Sequence, residues 1–156
     1  PTELKKVISE FKKGTAPGED QVPIECYQNA PAEVMDTLAH LYSAVMESGI
    51  TPNRWRKGTL YTLHKGGSAS ECNNYRPISL LNVQYKIFTK LLYTRMIRVL
   101  EETQTLTNAQ GGWRKGRSTL QKVNVLIETI KRSLNKKEEL HLVYVDLKKA
   151  YDSTEH

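Results

Sequence analysis

The stretch Leu140-His-Leu-Val-Tyr-Val-Asp-Leu-Lys-Lys-Ala-Tyr-Asp152 decides how the rest of this chain is read. Leu142, Val143, Tyr144 and Val145 leave neither face of a strand over 140–145 polar, as in a strand covered on both sides. Such a strand carries one carboxylate, Asp146, at its tip, and an acid there is costly to bury unless a cation or hydrogen bonds hold it. Lys148, Lys149, Tyr151 and Asp152 follow within one turn, a basic and aromatic setting that suits phosphate. A plainer role for Asp146 is to cap the next helix, a common use of Asp. Two-metal phosphoryl transfer instead requires carboxylates that hold two divalent ions about 3.5–4 Å apart. One Asp cannot hold both, so at least one more acid has to come from elsewhere.

With 156 residues the chain is long enough for one domain with a core, or for a piece of a larger one. It opens on Pro1 without a methionine and stops at His156 as a new element begins, so both ends are expected to be cuts. No signal peptide is expected, and no apolar run approaches the roughly 20 residues that span a bilayer. An intracellular setting, nuclear or cytoplasmic, is expected, with no secretion and no membrane. Cys26 and Cys72 are isolated thiols, and no His or Cys spacing suits structural zinc. Lys and Arg number 23 against 17 Asp and Glu, a net charge of +6. The cations cluster at Arg54-Trp-Arg-Lys57, Arg114-Lys-Gly-Arg117, Lys131-Arg132, Lys136-Lys137 and Lys148-Lys149, several beside Trp or Tyr. That combination can grip a phosphate backbone and stack on bases, although solvated helix faces carry lysines too.

The pattern predicts a first helix with Leu4, Val7, Ile8 and Phe11 on one stripe, closed by Gly14. After the turn 15–20, Pro31 opens a second helix with Val34, Leu38, Leu41, Tyr42 and Val45 inward, and Gly49 ends it. Residues 59–64 read as a short strand, and 73–78 as extended because Pro77 keeps Arg76 from helical geometry. A long helix over about 83–101 is expected to bury Ile87, Leu91 and Leu92, with Met96 and Leu100 as further candidates. Ser118 is placed to cap a helix whose inner face is Val123, Leu126, Ile127, Ile130 and Leu134. Without repeats or low-complexity linkers, the chain reads as one packed unit with a fresh strand at its end.

Four ordered blocks carry a resemblance. Val145-Asp-Leu-Lys-Lys-Ala-Tyr-Asp-Ser153 is similar to the first palm motif of reverse transcriptases of non-LTR (LINE-type) retrotransposons, usually Asp-Leu-x-Lys-Ala-Phe-Asp. Asn74-Tyr-Arg-Pro-Ile-Ser-Leu-Leu-Asn82, Gln110-Gly-Gly-Trp-Arg-Lys-Gly-Arg-Ser-Thr119 and Gly14-Thr-Ala-Pro-Gly-Glu-Asp-Gln-Val-Pro23 resemble three further blocks of that family. Ser48-Gly-Ile-Thr-Pro-Asn-Arg-Trp55 fits its connector. The resemblance implies an α+β architecture, the fingers of a right-hand polymerase over 1–139, followed by the first palm strand and the start of the next helix over 140–156.

By the same resemblance Asp146 is the first metal-binding aspartate of a Mg²⁺ site, and the Leu147 carbonyl a second ligand. Backbone amides of Lys148, Lys149 and Ala150 would cradle the incoming deoxynucleotide's triphosphate, in keeping with turn N–H groups as anion nests. Tyr151 would reject a ribose 2′-hydroxyl by bulk; a core aromatic under the turn is the plainer alternative. Lys65 and Arg76 match the residues that reach the β- and γ-phosphates, one a mobile point charge and the other a planar fork. A solvated cation is the plainer alternative for each. Arg114, Lys115 and Arg117 would line the path of an RNA template and its DNA primer or hybrid, and Gln110 would hold that loop. Trp113 replaces the usual Phe and is expected to fill the core rather than stack on a base.

The implied activity of the full-length protein is RNA-directed DNA synthesis. The family's aromatic-x-Asp-Asp block is absent, since no Asp-Asp occurs in the sequence, and the chain alone is expected not to polymerise. Two other readings are a non-catalytic nucleic-acid-binding module and a decayed fragment of a mobile element.

Overall fold

The computed structural model describes residues 2–147. The expectations for Lys148, Lys149, Ala150 and Tyr151 lie outside the described residues. The chain divides into two compact units, 1–105 and 106–156, so the expectation of one packed unit is corrected.

The first unit holds the core. Helix α1 (Thr2–Ser9) buries Leu4, Val7 and Ile8 as the spacing predicts. It stops well short of Gly14, and Phe11 packs on the core from the turn that follows. A short helix that the pattern did not signal, α2 (Ile24–Gln28), buries Ile24 and Tyr27. Helix α3 (Ala32–Ser48) follows Pro31 and turns Met35, Leu38, Tyr42 and Val45 inward. Leu38, Tyr42 and Val45 are inward as expected and Leu41 is half-buried, whereas Val34 is exposed and Met35 takes its place. Gly49 closes α3 in left-handed geometry, its N–H bonded to the Val45 carbonyl at 3.0 Å.

A 3₁₀ turn, Asn53–Arg56, drives Trp55 into the core, where its ring lies 5.3 Å from Phe88, 5.7 Å from Tyr85 and 5.9 Å from Tyr42. Tyr42 donates to the Gln84 carbonyl at 2.8 Å, and burial pushes its phenol pKa up. The aromatic neighbour in the basic cluster at 54–57 is therefore a core residue, with no face left for a base.

Strands β1 (Gly58–His64) and β2 (Tyr75–Leu81) form an antiparallel hairpin in which Leu63 faces Arg76 and Thr62 faces Pro77. Lys65 N–H donates to the Asn74 carbonyl at 2.7 Å, which extends the ladder one pair past β1. Hydrogen-bonded and non-hydrogen-bonded pairs alternate from there, so Pro77 falls at a non-hydrogen-bonded pair where no donor is needed. His64 and Tyr75, also such a pair, bring their rings to 5.1 Å. Helix α4 (Val83–Glu102) buries Val83, Ile87, Phe88 and Leu91. Leu92 and Leu100 are half-buried and Met96 is exposed, because only the first turns of α4 lie over the core.

The second unit contains the loop 106–117, helix α5 (Thr119–Lys136) and an extension to Leu147. Ser118 caps α5 in a reciprocal capping box with Gln121. None of the residues expected on its inner face is buried: Leu126 and Ile130 are half-covered, and Val123, Ile127 and Leu134 are exposed. The buried strand expected over 140–145 is also corrected. Residues 140–147 have no regular secondary structure, and Val143 is 86% exposed. A strand needs a neighbour for its N–H and C=O groups. Among the described residues, none pairs with this segment.

Candidate functional site

The hairpin brings together two of the cations singled out by sequence. Side chains alternate across a strand, so Lys65, Leu63 and Arg76 share one hairpin face, with Lys65 and Arg76 diagonal neighbours. Diagonal partners stand about 7–8 Å apart, within reach of long side chains. Every residue of β1 is exposed, and both cations are exposed as well. Neither makes a side-chain ion pair among the described residues, which leaves two positive charges open to an anion.

The turn that carries Lys65 is firmly built. Gly66 and Gly67 take φ of 116° and 84°, values that side chains disfavour. A Cβ on Gly67 would lie 2.8 Å from the Asn74 amide nitrogen. That amide donates to the Ser68 carbonyl at 2.9 Å, and Tyr75 O–H donates to the Ala69 carbonyl at 3.0 Å. A flexible cation thus stands on a fixed turn.

Arg114, Lys115 and Arg117 belong to the second unit. Arg114 Nη1 donates to the Thr107 carbonyl at 2.7 Å, and Arg117 Nη2 donates to Asn108 Oδ1 at 3.0 Å. Both guanidiniums thereby brace their own loop, and Arg117 keeps further donors of its five-donor fork in reserve. Lys122 adds a bond to the Asn108 carbonyl at 3.2 Å. Lys115 is exposed and makes no hydrogen bond among the described residues. Trp113 is 84% exposed at φ 59°, so the expectation that it fills the core is corrected: left-handed backbone turns it out of the loop.

Asp146 is exposed, and the cost of burying an acid does not arise in this setting. Its carboxylate and the Leu147 carbonyl are hard oxygen donors of the kind Mg²⁺ takes. Among the described residues no three of His, Cys, Asp and Glu come together. The donor type therefore suits Mg²⁺, while the number falls short of a complete site.

Sequence reasoning missed Asn82. It is a buried polar residue, 4% exposed, between β2 and α4. The available signal was an amide directly after the apolar pair Leu80-Leu81 and directly before Val83 of α4.

A family model described as reverse transcriptase (RNA-dependent DNA polymerase) matches residues 63–156. The chain belongs to the reverse transcriptase family. It is 29% identical over 155 residues to the probable RNA-directed DNA polymerase from transposon BS of Drosophila melanogaster, across 99% of this chain and 17% of that protein. Against the probable RNA-directed DNA polymerase from transposon X-element of the same fly, identity is 27% over 157 residues, again 17% of that protein. The RNA-directed DNA polymerase from mobile element jockey is 25% identical over 155 residues. This reverse transcriptase chain thus spans about a sixth (17%) of the length of the curated relatives it matches. The match supports a reverse-transcriptase-like polymerase fold, mixed in helix and sheet. No helix among the described residues is long and apolar enough to cross a membrane.

Proposed function

We propose that this chain is the fingers region and first palm motif of an RNA-directed DNA polymerase encoded by a non-LTR retrotransposon. The observation that carries the proposal is the common face of Lys65 and Arg76 on an exposed hairpin. A triphosphate presents several charged oxygens over a few ångströms, and two cations on one face can neutralise it from two directions. Lys65 supplies a mobile point charge, and Arg76 supplies a planar fork for paired oxygens. Held by both, a deoxynucleoside triphosphate keeps its α-phosphate in place for the primer 3′-hydroxyl.

The loop 106–117 contributes the contact with RNA template and primer or hybrid. Arg114, Lys115 and Arg117 serve phosphate oxygens, with affinity that falls as salt rises. Asp146 and Leu147 would hold Mg²⁺ together with carboxylates from outside this chain, and the ion supplies Lewis-acid neutralisation of phosphate charge when bound. Lys148, Lys149, Ala150 and Tyr151 stay assigned to the nucleotide's triphosphate and sugar on the motif alone.

The test is a titration of the chain with a deoxynucleoside triphosphate. Lys65→Ala and Arg76→Ala should each weaken binding about tenfold, equivalent to roughly 1.4 kcal/mol. Unchanged affinity in both variants would remove the hairpin from the site.

A further inference from the structure

Asn82 and Gly18 meet in a close junction at the base of the hairpin. The hairpin has little else to hold it, because β1 is exposed along its whole length and β2 is half-buried only at its ends. At its base Gly58 lies against the Leu81 side chain, and Asn82 follows at once. Asn82 Nδ2 donates to the Arg54 carbonyl at 3.3 Å, tying the hairpin's exit to the 3₁₀ turn before its entry. Asn82 Oδ1 accepts from Asp20 N–H at a long 3.5 Å, reaching the loop 14–23.

That loop is closely seated. A Cβ on Gly18 would overlap Asn82 Oδ1 and lie 2.5 Å from the Asn82 backbone nitrogen and 2.6 Å from the Leu81 carbonyl carbon. Two further ties hold it: Lys86 Nζ donates to the Ala16 carbonyl at 3.2 Å, and Gly14 N–H donates to Glu25 Oε1 at 2.6 Å. Beside the junction is a cleft of about 370 Å³ lined by Glu19, Asp20, Arg54, Lys57 and Asn82. Its lining sets two carboxylates against two cations, with no net formal charge.

We infer that Asn82, with Gly18 seated against it, is a positioning residue that fixes the hairpin relative to the helical core and so sets where Lys65 and Arg76 meet a triphosphate. This rests on the phosphate role proposed above for those two cations. It assigns to the 14–23 block a task in aiming the nucleotide grip from a distance.

The test uses the native thiols. Cys72, in the hairpin's connecting loop, and Cys26, in α2, are both free and exposed, so nitroxide labels can be attached without substitution. Pulsed electron spin resonance should give one narrow distance distribution for the unaltered chain. Gly18→Ala and Asn82→Ala should broaden or shift it while the helical circular-dichroism signal persists. Asn82→Leu, which roughly keeps the side-chain volume but cannot bridge, serves if the smaller variants fail to fold. Val45→Ala, a core truncation far from the junction in sequence, should lower stability and leave the distribution unchanged. In parallel, affinity for inorganic triphosphate should fall at least fivefold in folded Asn82 variants and stay constant in Val45→Ala. A distribution unchanged in folded Asn82 variants, or broadened equally by Val45→Ala, would overturn the positioning role. If Lys65→Ala and Arg76→Ala both leave triphosphate affinity unchanged, the phosphate role fails, and the distance distributions still decide the positioning.

Discussion

Glu3 and Arg95 show how far one pair of side chains can matter here. Arg95 reaches the Glu3 carboxylate through Nε at 3.1 Å and Nη2 at 2.7 Å, a two-point grip between α1 and α4. The hydrogen bond from that guanidinium holds the Glu3 carboxyl below its ordinary value of 4.5. A carboxyl lowered in the folded state adds stability above its unfolded pKa and loses it as pH falls through the folded value. The pair is half exposed, so solvent limits its contribution to at most about 1 kcal/mol. Glu3→Gln should lower the melting temperature slightly at pH 7. The difference from the unaltered chain should shrink as pH drops below 4.5, read from paired melts across pH. At this scale the sequence was informative about charge type and silent about partner. Lys65 and Arg76 were legible as cations for phosphate, but nothing in the chain marked Glu3 for Arg95, a partner 92 residues away. Asn82 was hidden for the same reason, since a buried amide is defined by the segments that close over it.

Among elements, those with their own local signal were readable. Ser118 and Gln121 sit three apart before an apolar pattern, and the capping box at α5 follows directly. Ser118→Ala should cost about 1 kcal/mol of helix stability, visible as a loss of helical signal with the first unit's melt unchanged. Helix α2 was not readable: five residues between two prolines give too short a pattern for any periodicity. The apolar stripe of α5 and the run 140–147 misled in the opposite direction. Their composition states what each would bury against a partner, and burial needs that partner present. The hairpin lies between these cases, with β1 plain from its Tyr, Leu and Thr content. Pro77 hid β2, until the register showed it at a pair that needs no donor.

For the whole molecule, the core runs from Leu4 to Leu91 and lies within the first unit. The second unit carries Asp146 and the cationic loop without burying any residue of α5. The reverse transcriptase match covers both units, from residue 63 to 156, yet the chain spans only 17% of the transposon BS polymerase. Among the described residues no three candidate metal ligands come together. As the fingers region and first palm motif proposed above, with no Asp-Asp in its sequence, the chain by itself should show no primer extension with Mg²⁺ and deoxynucleotides, and extension abolished by Asp146→Ala would contradict that. The most direct measurement of the nucleotide grip is a two-dimensional NMR titration of the isotopically labelled chain with a deoxynucleoside triphosphate. Chemical-shift changes should concentrate on residues 58–81 and disappear in the Lys65→Ala, Arg76→Ala double variant. Changes centred on α1 or α3, or changes that persist in the double variant, would contradict a phosphate grip on the hairpin.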